Sequence, residues 1–446
     1  MTSQFTDQYS GWERNKEGLG VWPRQGKVAI MGWGMSPVDR RWDGISMDRT
    51  LGAYCILAAQ RAMEDAGVRP DDIDGLFTCP DNMAGAGTGG AAGSWGPTRP
   101  YFAPPYDSEE GLTIVTQKWI LNNMSLPNVK FAPEYVPAIG AGLGMASQAV
   151  ADGKCTVALY IYTANNLEGR YRRGGEAASD EATGALQWTN PWGANTIDIQ
   201  MGGTIAVQQY CQKYGATWEE LMAPLILNEH RNGLMNSWGF YSTNGPSGLT
   251  LEDYLNSRPI ASPARIWDYD RPVNAGAAFI VTTAERARDM RQKPVYVLNH
   301  NQGSGGSARS SSMTLDDWMD GKARVARMVY EGSGLHPEDV DIFNPYDGFS
   351  PFLPLALEAF QWHGVKEGDA KDFVKGDISV EGPHPFVSGG GNLGNGRTRT
   401  AMYIDGIEQL RGTAGKRQVK VKAETAICAY APGLSANYLC LSNSLP

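Results

Sequence analysis

One pattern occurs twice in this chain of 446 residues, and it constrains the fold more than anything else in the sequence. Residues 62–80 read "AMEDAGVRPDDIDGLFTCP" and residues 329–347 read "VYEGSGLHPEDVDIFNPYD". At one constant offset Gly67 falls on Gly334, Pro70 on Pro337, Asp72 on Asp339 and Asp74 on Asp341. Ile73 meets Val340, and Leu76 meets Phe343. Each copy spells the end of a helix, a glycine C-cap, a proline-led turn and a short buried strand. A chain that carries this unit twice is a duplicated fold.

The surroundings keep the same order. In the first half "PAIGAGLG" leads into the small-residue helix "MASQAVADG" and the strand "CTVALYIYT"; in the second "VSGGGNLGNG" leads to "AMYIDGIEQLRG" and "VKVKAETAICAYA". Short apolar runs alternating with helices indicate α/β layers. Two such units packed face to face predict a five-layered αβαβα sandwich. "GAGLGMASQAV" suits its buried central helix, because Gly, Ala and Ser permit close backbone approach. The expected organisation is an N-terminal arm at 1–26, a first half at 27–165, a loop or cap insertion at 166–265, and a second half at 266–446. Phe5, Tyr9 and Trp12 would pack the arm on a neighbouring surface. The insertion is rich in Asn, Gly and Trp; within it "WEELMAPLILNEHRNGL" (218–234) predicts an amphipathic helix, as part of a cap or of a lid over an apolar ligand. "AGAGTGGAAGS" (84–94) and "GSGGSARSSS" (303–312) have almost no side chains to bury and read as loops.

Composition narrows the partners. Hydrophobic residues make up 42% and charged residues 20%, enough for a sizeable core, and the formal net charge is −9. That charge argues against nucleic acid or an anionic membrane as the main partner. No apolar run approaches the roughly 20 residues of a membrane span, and the polar start is unlike a secretory signal. Six scattered cysteines without a C-x-x-C pair fit a reducing cytoplasm, and five dispersed histidines make a metal site unexpected.

The glycine loop "GAGLGMAS" invites a dinucleotide reading. The strand after it ends in Asn165 and Asn166, without the acid that would hold a ribose hydroxyl.

In order and spacing these segments resemble the thiolase superfamily. "WDYDRPVNAGAAFIVTT" (267–283) is similar to that family's Asp-Gly-Ala-Ala-Ala strand, and "GGGNLGNGR" (389–397) to its glycine-rich active-site loop. Thiolases carry a nucleophilic cysteine just before the small-residue helix of the first half. Here that stretch is "YVPAIGAGLGM" (135–145), without cysteine; Cys155 follows the helix, where a buried apolar thiol is expected. The family's Gly-His-Pro histidine is replaced by Gly396-Arg397. "YDGFSPFLPLALEAF", "NLGNGR" and "IEQLRGTAGKRQV" resemble a narrower branch, the sterol carrier protein-type thiolases that became steroid side-chain-cleaving aldolases. That resemblance implies a cytoplasmic lyase that splits a β-hydroxyacyl-CoA into a ketone and a short acyl-CoA. It implies a partner, an OB-fold and zinc-ribbon protein that binds the acyl-CoA. Zinc is then expected only in the partner, no cofactor in this chain, and a homodimer carrying two partner subunits, a heterotetramer. The branch usually continues its loop Gly-Arg-x-His-Gly, and here Arg399 stands at the histidine.

Retro-aldol cleavage needs a base for the β-hydroxyl, a stabiliser for the thioester enolate and a proton donor to it. Tyr346, lifted by the turn after "DVDIF", is the first candidate, with Arg397 or Arg399 as the cation that favours its phenolate. Asp347 is either an acid–base group or a turn residue bonding its own backbone. Tyr296 is the second tyrosine the resemblance asks for, placed by strand alternation on the same face as Leu298 and His300. His300 ends that strand, and His384 lies in a loop between prolines. Gly390, Gly391, Asn392 and Gly394 would offer backbone N–H groups to the enolate. Two other readings stay open: an unconventional β-ketoacyl-CoA thiolase, and a non-catalytic acyl or sterol carrier or scaffold.

Overall fold

The structure, a computed structural model, describes residues 18–79, 111, 115–134, 136–165, 203–245, 247–301, 314–429 and 437–446. The N-terminal arm's aromatics, both small-residue loops and the first part of the insertion lie outside the described residues.

Eight strands carry the fold: β1 (Val28–Met35), β2 (Gly75–Cys79), β3 (Val157–Asn165), β4 (Asn274–Thr283), β5 (Val295–Asn301), β6 (Ile342–Asn344), β7 (Thr425–Ala429) and β8 (Tyr438–Ser442). The helices that matter for the site are α1 (Leu51–Ala66), α2 (Ile139–Ala151), α3 (Trp218–Leu234), α4 (Leu315–Ser333), α5 (Phe352–Phe360), α6 (Gly391–Asn395) and α7 (Ala401–Arg411). The strands form one mixed sheet in the order β2-β3-β4-β1-β5-β8-β7-β6. Read outward from its middle, the order is the same in both halves: β1, β4, β3, β2 on one side and β5, β8, β7, β6 on the other.

The halves are duplicates in hydrogen bonding as well. β2 runs parallel to β3, as β6 does to β7, and β4 and β8 are the antiparallel inserts. Both repeat copies end a helix on a left-handed glycine, Gly67 at φ 70° and Gly334 at φ 71°. In both, an aspartate closes the proline-led turn, Asp72 on the N–H of Arg69 and Asp339 on that of His336, each at 2.8 Å. The next matched aspartate reaches the start of the neighbouring parallel strand. Asp74 accepts from Thr156 and Val157 at 2.7 and 2.8 Å, and Asp341 from Glu424 and Thr425 at 2.7 and 3.1 Å. The four identities seen in the sequence are therefore four pieces of one turn.

This is the thiolase fold, α/β, with a mixed sheet flanked by helices. The two halves meet edge to edge through two residue pairs, Ala29↔Tyr296 and Ile30↔Val295. α1 packs on the strands of the first half and α4 on those of the second, while α2 touches strands of both. Its glycines allow that: an added Cβ would lie 2.4 Å from the Tyr403 hydroxyl at Gly140, 2.4 Å from the Tyr160 ring at Gly142 and 2.7 Å from the His300 ring at Gly144.

One expectation changes. The strand at 274–283, grouped from sequence with the second half, lies between β3 and β1 of the first, so the boundary at 265/266 cuts across a sheet. The helix at 218–234 forms with those bounds, started by a Thr217–Glu220 capping box. Its inner face is buried under the glycine-rich loop. No helix among the described residues is long and apolar enough to cross a membrane.

Candidate active site

Where β6 stops at Asn344, the turn 345–348 meets the loop 389–397, and α3 closes over both. Glycine makes the approach possible. A Cβ at Gly233 of α3 would lie 2.1 Å from the Gly394 carbonyl, and one at Gly394 2.1 Å from the Glu229 carbonyl. At Gly391 it would lie 2.1 Å from Asp347 Oδ2. Gly390 and Gly391 sit at φ 74° and 50°, a region that favours glycine.

Asp347 is fully buried and spans this junction. Its Oδ2 accepts the Leu393 N–H at 2.7 Å and its Oδ1 the Asn392 side-chain amide at 2.9 Å. It does not bond its own turn alone; it ties the turn to the loop. Three of the N–H groups expected to meet an enolate are engaged inside the protein, Gly390 bonding Val387, Gly394 bonding Gly390 and Asn392 bonding Asp347. The buried carboxylate of Asp347 is the anion this loop surrounds.

A second carboxyl faces it. Glu229 of α3 is 1% exposed, and burial, with the Asp347 charge beside it, holds it well above the ordinary carboxylate range. Burial also raises Asp347, less so because Glu229, Asn392 and Leu393 hydrogen-bond to it. Both carboxyls are raised by burial, and two like groups in one buried site favour a state with a single proton between them. Sequence reasoning missed Glu229. Its only local signal was a carboxylate on the apolar side of a helix otherwise read as amphipathic.

The loop also places the two arginines. Asn392 Oδ1 accepts the Arg399 N–H at 2.7 Å, which helps hold Arg399 at φ 60°, uncommon for a residue with a Cβ. Arg399 Nη1 then donates to the Tyr162 hydroxyl at 2.8 Å, both side chains being buried. Arg397 pairs with Asp270 at 3.7 Å, and its N–H bonds the Arg271 carbonyl. The phenol that receives this Arg399 hydrogen bond is Tyr162, in the second half of β3. Alternation in "TVALYIYT" could have flagged it, since Tyr160 and Tyr162 share a face.

Tyr346 is 3% exposed, its ring 5.7 Å from that of Phe352 and its hydroxyl folded over Gly348. Phe352 also packs on Trp318, and the Lys322 amine lies against both rings, 5.5 Å from the centre of Phe352 and 5.7 Å from that of Trp318. Burial pulls that amine down to about 8.

Three sequence candidates fall elsewhere. Tyr296 packs with Ala29, Met63 and Ala287 in the outer cluster under α1, not in the core that holds Tyr346. The cause is a β-bulge: Leu441 pairs with Val297 but Cys440 with Asn299, so alternation breaks between Tyr296 and His300. His300 is buried against Trp22 and the Gln148 side chain of α2. His384 stacks on His363, away from the loop. The cysteines other than Cys79 are disfavoured as thiolates by burial, Cys155 being pushed up to about 12. A cavity of about 360 Å³ opens beyond β1, lined in part by Asp39, Arg49, Arg61 and Trp238.

Comparison with known proteins bears on the fold and the family resemblance. A family model described as Thiolase C-terminal domain-like matches residues 303–438. The 17-hydroxy-3-oxo-4-pregnene-20-carboxyl-CoA lyase of Mycobacterium tuberculosis is 29% identical over 416 residues, which span 90% of this chain and 97% of that protein. The steroid side-chain-cleaving aldolase of Thermomonospora curvata is 28% identical over 402 residues, 87% of this chain and 91% of that one. Among solved structures, the Ltp2-ChsH2(DUF35) aldolase superposes with a TM-score of 0.71 at 24% identity, covering 94% of this chain and 98% of its own. Along most of its length the chain is similar to members of the thiolase superfamily, and within it to the SCP2-thiolase-like branch.

Proposed function

We propose that this chain is the aldolase subunit of a carbon–carbon lyase that cleaves a bulky, steroid-type β-hydroxyacyl-CoA into a ketone and a short acyl-CoA. The observation that carries the reading is the altered nucleophile position. α2 begins at Ile139 behind Ala138 and Pro137, with no thiol there, and Cys155 is buried. Similarity to two lyases along most of the chain supports the same reaction class. The partner class follows from the name of the structural neighbour, a complex with a DUF35 protein. On this reading the partner is an OB-fold and zinc-ribbon protein that takes the CoA end, and two such partners bind a cytoplasmic homodimer.

The chemistry asks little of the protein beyond proton transfer and charge stabilisation. A base removes the β-hydroxyl proton, the Cα–Cβ bond breaks as the ketone forms, and the electron pair enters the thioester enolate. A proton donor then delivers a proton to Cα. Tyr162 is the assigned base, because a fixed guanidinium donating to a phenol oxygen stabilises negative charge on it. Tyr346 is the assigned proton donor, with Arg399 supplying the positive field for the enolate.

The test is to co-express the chain with the DUF35-type protein of its genomic neighbourhood and supply a β-hydroxy steroid-type CoA thioester without free coenzyme A. Ketone plus short acyl-CoA supports the reading. A requirement for added coenzyme A would make the protein a thiolase, and no turnover a carrier or scaffold. Tyr346→Phe and Tyr162→Phe should each cost at least about tenfold in rate; wild-type turnover in either removes that tyrosine from the mechanism.

A further inference from the structure

The Glu229 carboxyl presents a physical problem. It is buried, neither of its oxygens receives a hydrogen bond from a described residue, and the group it faces is another carboxyl. Two carboxylates in that position would repel each other, and no cation among the described residues lies between them. The ionisable groups of the surrounding elements are engaged elsewhere. On α3 itself, His230 lies between Tyr241 and Trp267, and Arg231 pairs with Glu381. On the neighbouring segments, Asp268 accepts from Ser350, Arg397 meets Asp270, and Asp405 meets Arg417. Tyr346 turns over Gly348, and Arg399 reaches Tyr162. One proton resolves the conflict: Glu229 as an acid donates to Asp347, and Asp347 as an anion accepts from Glu229, Asn392 and Leu393.

We infer that Glu229 is a positioning residue, sharing one proton with Asp347 so that the pair pins the loop 389–397 and, through Asn392, sets Arg399 against Tyr162. The connection is continuous. Asp347 Oδ1 holds the Asn392 amide at 2.9 Å, Asn392 Oδ1 holds the Arg399 N–H at 2.7 Å, and Arg399 holds the Tyr162 hydroxyl at 2.8 Å. Loss of the proton puts a second negative charge beside the first. Because α3 and the loop touch glycine to glycine, the backbone there cannot yield locally, and the loop must lift. As a catalytic claim this rests on the proposed aldolase reading; as a statement about the loop it does not.

The sign follows from linkage. An acid raised in the folded state gives its stabilisation in full below its unfolded value and loses it as pH rises through the folded value. The loop should therefore loosen on the alkaline side. The experiment compares wild type, E229Q and D347N as the purified complex, using thermal unfolding across pH and the infrared carbonyl band of a protonated buried acid. Wild type should show that band at neutral pH and lose it in alkali, with its melting temperature falling relative to E229Q over the same interval. E229Q, whose amide donates at every pH, should lack both the band and the fall. D347N, which removes the like charge and can donate to Glu229, should also lose the band. Parallel melting curves in wild type and E229Q, or the same band in all three proteins, overturn the inference. If E229Q does not fold, D347N and the wild-type band decide alone. Where turnover is measurable, the wild-type rate should fall about tenfold per pH unit on that limb and the E229Q rate should stay level. Absence of turnover in every protein would count against the aldolase reading and leave the band and melting results to judge the pair.

Discussion

The two copies of the repeat share a scaffold and differ at its tips. In each, a left-handed glycine ends the outer helix and matched aspartates fasten the turn and the next parallel strand. β2 then runs on to Cys79, whereas β6 stops at Asn344 and yields Pro345-Tyr346-Asp347. A second difference lies on the helices: twelve residues before the glycine cap, α1 carries the buried Cys55 and α4 carries Lys322. The framework has been kept in both copies. One has received ionisable groups exactly where burial makes them costly, a placement that packing alone would not favour.

That comparison can be broken in four ways. The largest effect should come from Asp347→Ala, which strands the Leu393 N–H and the Asn392 amide in the interior; a loss of about 3 kcal/mol is expected, read by denaturant unfolding. Lys322→Met gives the second copy an uncharged side chain like that of the first. It should stabilise the protein by about 2 kcal/mol at neutral pH, since burial disfavours the ammonium form. The wild type should close that gap with rising pH, because between about 8 and 10.5 the folded state sheds its proton before the unfolded one does. A gap that stays constant across this range would mean the amine is not desolvated. Next come Asp74→Ala and Asp341→Ala, each removing two backbone acceptor contacts. Matched losses of about 1.5 kcal/mol are expected, and a clear inequality would show that the copies do not bear equal loads. The smallest effect should be Cys155→Ala, about 1 kcal/mol of packing and no change in turnover; abolished turnover would restore a thiol mechanism.

The repeat, the small-residue central helix and the helix at 218–234 were legible because each is written in consecutive residues. α2 needs glycine wherever Tyr403, Tyr160 and His300 approach it, and that need shows in composition. The site was less legible because its contacts are long-range. Arg399 and Tyr162 meet across the two halves, and Glu229 meets Asp347 across the insertion. Tyr296 was misplaced by one bulged residue, which no alternation count registers until the partner strand is known.

The position of β4 has a consequence for how the chain is made. Among the described residues β1 pairs with β4 and β5, both of which come after the whole insertion. At ribosomal speeds of roughly 5–20 residues per second, Val28–Met35 waits on the order of ten seconds or more for its first partner. The first half is therefore not an autonomous early folder. A nascent chain ending near residue 265 would expose the β4-pairing edge of β3 and all of β1, and its apolar strands would need protection until the sheet closes.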